Sequence, residues 1–247
     1  TVGAISSTDV DAGDSHTYTL VSGTGSTDNG SFAIIGSNLF TNATFNFEAK
    51  SSYAIRIQTE DSGGLTYQEA FTITITDVND APVITSNGGG STGSISFAEN
   101  ATSAATTVTS SDEDSDTVTY GISGTDAGDF NINSSSGALT FKSAPNFEIP
   151  DDDGTNNQYI VIITATDDGA GTLTDTQTLT ITVTDVNEVP TDIALNSTSV
   201  NENESSGTTV GAISSTDVDA GDSHTYTLVS GTGSTDNGSF AIIGSNL

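Results

Sequence analysis

Acidic side chains recur at matching places along this sequence, and they are the residues whose types and spacing could do chemistry. They fall at strand ends and in linkers, where two carboxylates about 4 Å apart in water repel by about 1 kcal/mol. A folded protein avoids such crowding unless a cation lies between the groups. The recurring groups are a Glu near the start of a repeat (Glu99, Glu202), an Asp-x-Asp (Asp9 and Asp11, Asp112 and Asp114, Asp217 and Asp219), a Glu after Asn-Phe (Glu48, Glu148), an Asp shortly before Gly (Asp61, Asp167), and a linker D-V-N-D/E (Asp77, Asn79 and Asp80; Asp185, Asn187 and Glu188).

The ligand types in these groups select a hard metal ion. The chain has no Cys and 2 His, so its candidate ligands are carboxylate, amide and backbone oxygens, which suit hard cations. Ca²⁺ accepts about 6–8 oxygens in flexible geometry, whereas Mg²⁺ demands a tighter octahedron and keeps several waters. The pattern therefore predicts Ca²⁺ as the cofactor. The plain alternative is an acidic surface that is only solvated.

Two other chemistries fit these residues poorly. The run from Asp9 to Asp11 looks like the start of an EF-hand loop, but the twelfth position of that loop must be a bidentate Glu, and here it is Leu20. His16 and His224 are one repeat position seen twice, with no Cys or second His to form a nucleophile–base pair. Carboxylate pairs also serve glycosidases, but pairs repeated in every unit favour a structural role. We therefore predict no enzymatic activity and no catalytic residue.

The overall charge excludes two classes of partner. The chain has 33 Asp and Glu against 3 Lys and Arg, a formal net charge of −30. Nucleic acid binding needs Lys or Arg to neutralise phosphates, and an anionic membrane surface would repel the chain. No apolar run approaches the roughly 18 residues of a membrane span. We therefore expect neither nucleic acid binding nor direct membrane insertion.

Apolar residues alternate with Thr along several segments, which predicts an all-β fold. Phe71, Ile73 and Ile75 alternate with Thr, and so do Leu179 and Ile181. A period of two in segments rich in β-branched residues is typical of a strand with one buried face. No segment has a convincing helical stripe. The most complete part of the chain predicts seven strands, at Ser94–Phe97, Ala105–Ser110, Thr117–Ile122, Asp129–Ile132, Ala138–Phe141, Tyr159–Thr166 and Thr178–Thr184.

Internal repeats indicate tandem domains. Thr1–Leu39 recur without change as Thr209–Leu247, and the linker motif at Asp77 returns in similar form at Asp185. A repeat of roughly 105 residues is large enough for its own core, unlike the short repeats of a solenoid. The predicted domains are a repeat lacking its first strand (1–80), a complete repeat (81–188) and the N-terminal part of a third (189–247). We refer to them as repeats 1, 2 and 3.

The order of these motifs resembles that of cadherin repeats, especially the cadherin-like tandem domains of large bacterial surface and secreted adhesins. Five family motifs occur in order: x-E-x around Glu99, D-x-D at Asp112, the Glu of L-D-x-E at Glu148, A-x-D-x-G at Asp167, and the linker at Asp185. The resemblance covers the whole chain. It implies tandem seven-stranded Greek-key sandwiches (cadherin- or Ig-like), joined by short linkers with up to three Ca²⁺ at each junction.

The resemblance also implies which residues bind the ions. Asn46 and Asn146 stand where the family has an Asp, which weakens the outermost ion, so two and three ions per junction both remain open. Asp9, Asp11 and Asp61 would face a junction upstream, and Glu202 stands in repeat 3 where Glu99 stands in repeat 2. The implied first junction uses Glu48, Asp77, Asn79 and Asp80 from repeat 1 with Asp112, Asp114 and Asp167 from repeat 2, Asp114 bridging; the second uses Glu99, Glu148, Asp185, Asn187, Glu188, Asp217 and Asp219.

The function expected from these features is mechanical. We expect a calcium-rigidified extender of a long extracellular bacterial adhesin or filament, located at the cell surface or secreted. Its partners would be the neighbouring repeats of the same chain, and other copies of the array or surface glycans are further possibilities. The alternative is an adhesive module that associates with itself in calcium or binds carbohydrate, which would need an exposed aromatic cluster.

Overall fold

The computed structural model describes residues 1–247 and confirms the predicted all-β fold. Three short 3-10 helices are its only helical segments: Asn29–Ser31, Thr125–Asp129 and Asn237–Ser239. The strands are β1 (Gly3–Ala4), β2 (Thr17–Leu20), β3 (Phe32–Ile35), β4 (Asn38–Thr41), β5 (Ser52–Glu60), β6 (Thr66–Thr74), β7 (Val83–Ile84), β8 (Thr92–Ala98), β9 (Thr106–Thr107), β10 (Ser110–Ser111), β11 (Thr119–Ser123), β12 (Phe130–Ile132), β13 (Ala138–Phe141), β14 (Gln158–Thr166), β15 (Thr174–Thr184), β16 (Asp192–Leu195) and β17 (Ile213–Thr216).

By their contacts, the residues form two compact units that are each discontinuous in sequence. The predicted domain boundaries near residues 80 and 188 rest on the sequence repeat and remain a prediction. The first unit comprises Thr1–Ile84, Ser110–Thr119 and Ala165–Asp175, and the second comprises Thr85–Thr109, Tyr120–Thr164 and Thr176–Leu247.

Repeat 1 is built from two three-stranded sheets, with strand orders β1-β4-β3 and β2-β5-β6. Their alternating apolar residues pack into one core around Phe32, Leu39, Ile55 and Ile57. Strand β6 lies at the edge of its sheet, and Phe71 on it is 41% exposed, although its position in the alternation predicted a core residue. The reason is that no further strand covers this edge.

Repeat 2 has the same two layers with an additional strand. One sheet has the order β12-β13-β9 and the other β11-β14-β15-β8. Strand β8 pairs in parallel with β15. Strand β15 is therefore covered on this side, and its Leu179 and Ile181 are 0% exposed. The centre of the core is aromatic, with the rings of Phe130 and Phe141 4.2 Å apart and Tyr159 edge-on to both.

Six of the seven predicted strands of repeat 2 match strands of the structure, and the short strand β7 (Val83–Ile84) was not predicted. The predicted strand Ala105–Ser110 is divided into β9 and β10, which pair with β13 and β7 respectively. Between them the buried Val108 donates its backbone N–H to Gly137 O at 2.8 Å. A Cβ on Gly137 would lie 2.2 Å from Val108 O, so this glycine permits the close approach at which the chain changes sheets.

Repeat 3 contains a two-stranded sheet, in which β16 and β17 pair antiparallel. Thr209–Leu247 have the same sequence as Thr1–Leu39, yet the counterparts of β2 and β3 are not strands here. Phe240, the counterpart of Phe32, is 45% exposed rather than 4%. The segment that would supply the counterpart of β5 is not among the residues of this repeat.

Candidate metal centres

The candidate ligands around the first linker come from four places in the fold. Glu48 lies in a turn between β4 and β5, and the linker carrying Asp80 follows β6. Asp112 and Asp114 follow β10, and Asp167 follows β14. All of these positions lie outside the strands, in turns or in the linker, where carboxylates can accept backbone N–H groups. We call the carboxylates of Glu48, Asp80, Asp112, Asp114, Asp116 and Asp167, together with the Asn79 side chain, the first cluster.

Two overlapping sets of carboxylate oxygens converge in the first cluster. Oxygens of Glu48, Asp80 and Asp114 lie within 4.8 Å of one another, and so do oxygens of Asp112, Asp114 and Asp116. Asp114 belongs to both sets, in the bridging position that the resemblance implies. The linker is tied to the same residue, since the backbone N–H of Asp80 donates to Asp114 Oδ2 at 2.6 Å.

Asp167 and Asn79 form the other side of the first cluster. Asp167 is 3% exposed, and Asn79 Nδ2 donates to its Oδ2 at 3.1 Å. Gly169 leaves space beside them: a Cβ there would lie 1.8 Å from Asn79 Oδ1 and 2.0 Å from Asp116 Oδ2. The glycine of the A-x-D-x-G motif therefore keeps a small gap open between side-chain oxygens.

The carboxylates around the second linker form a comparable group, which we call the second cluster: Glu99, Glu148, Asp185, Glu188 and Asp219. Oxygens of the first four lie within 4.8 Å of one another. Glu99 is 2% exposed and accepts backbone N–H groups from Phe147 and Val186 at 2.9 and 2.8 Å. The backbone N–H of Glu188 donates to Asp219 Oδ2 at 2.7 Å, as Asp80 does to Asp114 in the first cluster.

Several oxygens in the two clusters are buried without a hydrogen-bond partner: Asp112 Oδ2, Glu148 Oε2, Glu188 Oε2 and Asp219 Oδ1. A buried acceptor left unpaired costs about 1–3 kcal/mol, and more when it is charged. The basic residues do not relieve this, because the ion pairs formed by Lys and His join other partners: Lys50 to Asp28, His16 to Asp9 and His224 to Asp217. These unpaired oxygens are what a cation-binding donor set would present.

Crowding raises the pKa of several cluster carboxyls. Burial, then the Asp219 and Glu99 carboxylates, raise the pKa of Asp185. Burial, followed by Glu99 and Asp219, raises the pKa of Glu188, and burial is also the largest cause that raises the pKa of Glu148. An opposite charge nearby would favour the ionised forms. The donor set, oxygen-only and anionic, therefore fits Ca²⁺.

The remaining predicted ligands lie elsewhere or are already engaged. Asn46 Oδ1 accepts the Ala49 N–H at 2.6 Å and Asn146 Oδ1 accepts that of Ile149 at 2.7 Å, so each amide oxygen caps its own turn. The carboxylates of Asp77 and Asp11 lie outside every group of converging carboxylate oxygens. Asn187 Nδ2 donates to Glu188 O at 2.9 Å, Asp217 Oδ2 lies 3.0 Å from His224 Nε2, and Glu202 is exposed.

Repeat 1 holds a third group of carboxylates. Oxygens of Asp9, Asp14 and Asp61 lie within 4.8 Å of one another. Asp9 and Asp61 were predicted, whereas Asp14, like Asp116 in the first cluster, was missed. The signal was present as an extra Asp after each Asp-x-Asp, but its distance from the motif differs by one residue between repeats 1 and 2.

Comparisons with known proteins identify one matching family and several structures with a similar fold. Residues 93–184 match the family described as the cadherin domain, a non-enzymatic adhesion and structural fold. No curated protein matches the chain. The structure of human CDH23 EC21-23 has a TM-score of 0.56 at 20% identity, with 83% of this chain and 69% of that chain covered.

Two further solved structures have the same fold. The extracellular domain of protocadherin GammaB4 gives a TM-score of 0.52 at 23% identity, covering 83% of this chain and 34% of that one. The structure of mouse Cadherin-23 EC22-24 gives a TM-score of 0.50 at 23% identity, and the match covers 69% of this chain and 53% of that one. The chain thus spans about a third and about half of those two structures. These likenesses show the fold of the chain. No helix is long and apolar enough to span a membrane.

Proposed function

We propose that these cadherin-like repeats form a calcium-rigidified extender of a long extracellular adhesin or filament. The observation that carries the proposal is the set of buried, unpartnered carboxylate oxygens at both linkers. Each cluster joins residues before a linker, in the linker and after it, so a shared cation would tie these segments together. The Ca²⁺ would supply positive charge to oxygens that otherwise repel one another.

The residues of the chain have separate tasks in this proposal. In the first cluster, Glu48, Asp80 and Asp114 would hold one ion, and Asp112 and Asp114 with Asn79 and Asp167 the next one downstream. In the second cluster, Glu99 already positions the linker through its hydrogen bond from Val186 at 2.8 Å. Its other oxygen holds Phe147 N–H, next to Glu148. Without a cation the carboxylates repel, and we expect the linkers to flex.

Small-angle X-ray scattering of the full chain tests this function. We expect a larger maximum dimension and a narrower distance distribution in millimolar Ca²⁺ than in chelator. Asp114→Asn should abolish most of the change, because Asp114 lies in both sets of the first cluster. Asp236→Asn removes the same charge from an exposed site in repeat 3 and should respond as the wild type does. Identical profiles with and without Ca²⁺ would contradict the proposal.

One observation favours the alternative of an adhesive module. On the edge strand β6, Tyr67 is 65% exposed and Phe71 is 41% exposed, and both line a cavity of about 200 Å³ with Ile5, Tyr18 and Ile57. Exposed aromatic side chains are the feature that carbohydrate binding or self-association requires. Calcium-dependent aggregation and glycan-array binding distinguish this role from that of an extender, which predicts neither.

A further inference from the structure

Every repeat carries a third Asp after its Asp-x-Asp motif, and the family motifs do not account for it. These residues are Asp14, Asp116 and Asp222. In repeats 1 and 3 the third Asp stands three positions after the second, whereas in repeat 2 it stands two positions after.

The structure places the third Asp beside other acidic side chains of its group in repeats 1 and 2. In repeat 2, an oxygen of Asp116 lies within 4.8 Å of oxygens of both Asp112 and Asp114, and in repeat 1 Asp14 is equally close to Asp9 and Asp61. The residue directly before the third Asp has a positive φ in both loops: 64° at Ser115 and 97° at Gly13. The two loops differ in length, and in both of them the third Asp lies close to the first Asp of its Asp-x-Asp motif.

The surroundings of Asp116 are rich in acceptor oxygens, one of which is buried without a hydrogen-bond partner. Its Oδ2 and Asn79 Oδ1 both lie within 2.0 Å of where a Gly169 Cβ would be, so two acceptor oxygens flank one small gap. Asp112 Oδ1 accepts the N–H groups of Asp114 and Asp116 at 3.0 and 3.3 Å, while its buried Oδ2 has no partner.

An independent observation on repeat 3 supports the same reading. Asp219, the counterpart of Asp114, is 9% exposed, and its Oδ1 has no hydrogen-bond partner. The Asp-x-Asp motif therefore presents a buried, unpaired carboxylate oxygen in repeat 2 and in repeat 3.

We propose that Asp116 is an additional metal-ligating carboxylate of the downstream site in the first cluster, and that Asp14 has this role in repeat 1. The proposal rests on the proposed calcium function and extends its ligand set. One loop then supplies three carboxylates to a site completed by Asn79 and Asp167. Calcium affinity rises with the number of charged ligands, so this site should be the strongest of the first linker.

Asp116→Asn tests the proposal against a matched control, Asp168→Asn. Both changes remove one charge from the same region, since Asp168 also raises the pKa of Asp116, after burial and Asp112. Asp168 Oδ1 accepts the Thr117 N–H at 2.7 Å, which an Asn oxygen can also do. The readout is the backbone amide NMR signals of Asn79, Asp114 and Gly169 in the full chain during titration with CaCl₂.

We expect Asp116→Asn to weaken Ca²⁺ binding at these amides by about tenfold or more, and Asp168→Asn by less than about twofold. Circular dichroism of both variants verifies that they fold. Equal titration curves for the two variants would overturn the role of Asp116 while leaving the calcium function intact. A wild-type chain whose amides do not respond to Ca²⁺ would overturn the proposed function itself.

Discussion

At the scale of single residues, the clusters depend on side chains that are small as much as on side chains that are charged. Most of the carboxylates could be found from the sequence, because they recur in motifs at fixed places. Asp116 could not, since its distance from Asp114 differs from that between Asp11 and Asp14 and only the folded loop brings it to the others. The role of Asn46 and Asn146 as turn caps could not be predicted either, because only the hydrogen bonds of the folded chain show it.

Gly169→Ala gives the residue-scale prediction. The added Cβ would fill the gap beside Asn79 Oδ1 and Asp116 Oδ2, so we expect the Ca²⁺ affinity of the first cluster to fall about 10- to 100-fold, as when supporting groups of a metal site are altered. Isothermal titration calorimetry on the full chain measures this. Gly63→Ala is the matched control in repeat 1, because a Cβ there meets only Asp61, at 3.3 Å. Wild-type affinity in Gly169→Ala would contradict the prediction.

At the scale of secondary-structure elements, the two identical segments show what sequence alone cannot decide. Thr17–Leu20 form β2 because β5 pairs with them, whereas the identical Thr225–Leu228 are not a strand. The 3-10 helix that begins at Asn29 forms in both copies, at Asn29 and at Asn237, because its hydrogen bonds are local. Local turns could therefore be predicted from the residues, while strand formation depends on partners far along the chain.

Leu179 and Phe71 occupy matching positions on β15 and β6, which makes them a paired test of this dependence. Leu179 is 0% exposed on β15, which has β8 as its neighbour in the sheet, whereas Phe71 is 41% exposed on β6, which is an edge strand. We expect Leu179→Ala to lower the free energy of unfolding by about 2–5 kcal/mol, and Phe71→Ala by less than about 1 kcal/mol. Denaturant unfolding followed by circular dichroism measures both. Equal losses in the free energy of unfolding would contradict the expectation that Phe71 contributes less to stability than Leu179.

At the scale of the whole molecule, the main feature is the large negative net charge. The net charge of −30 is opposed by three basic side chains that are engaged elsewhere: Lys50 bonds Asp28 at 2.5 Å, Arg56 bonds Gln68 at 3.2 Å, and Lys142 bonds Gly128 O. The protein therefore does not neutralise its own carboxylate clusters. Divalent cations that bind only the folded chain would also stabilise it by mass action.

The most direct measurement is a crystal structure of the full chain grown in millimolar Ca²⁺, with anomalous diffraction used to locate the metal. We expect ions between Glu48, Asp80 and Asp114, between Asp112, Asp114 and Asp167, and within the second cluster, each coordinated by side-chain oxygens from both sides of a linker. Carboxylates turned outward into solvent, with no anomalous signal at either linker, would contradict the calcium account as a whole.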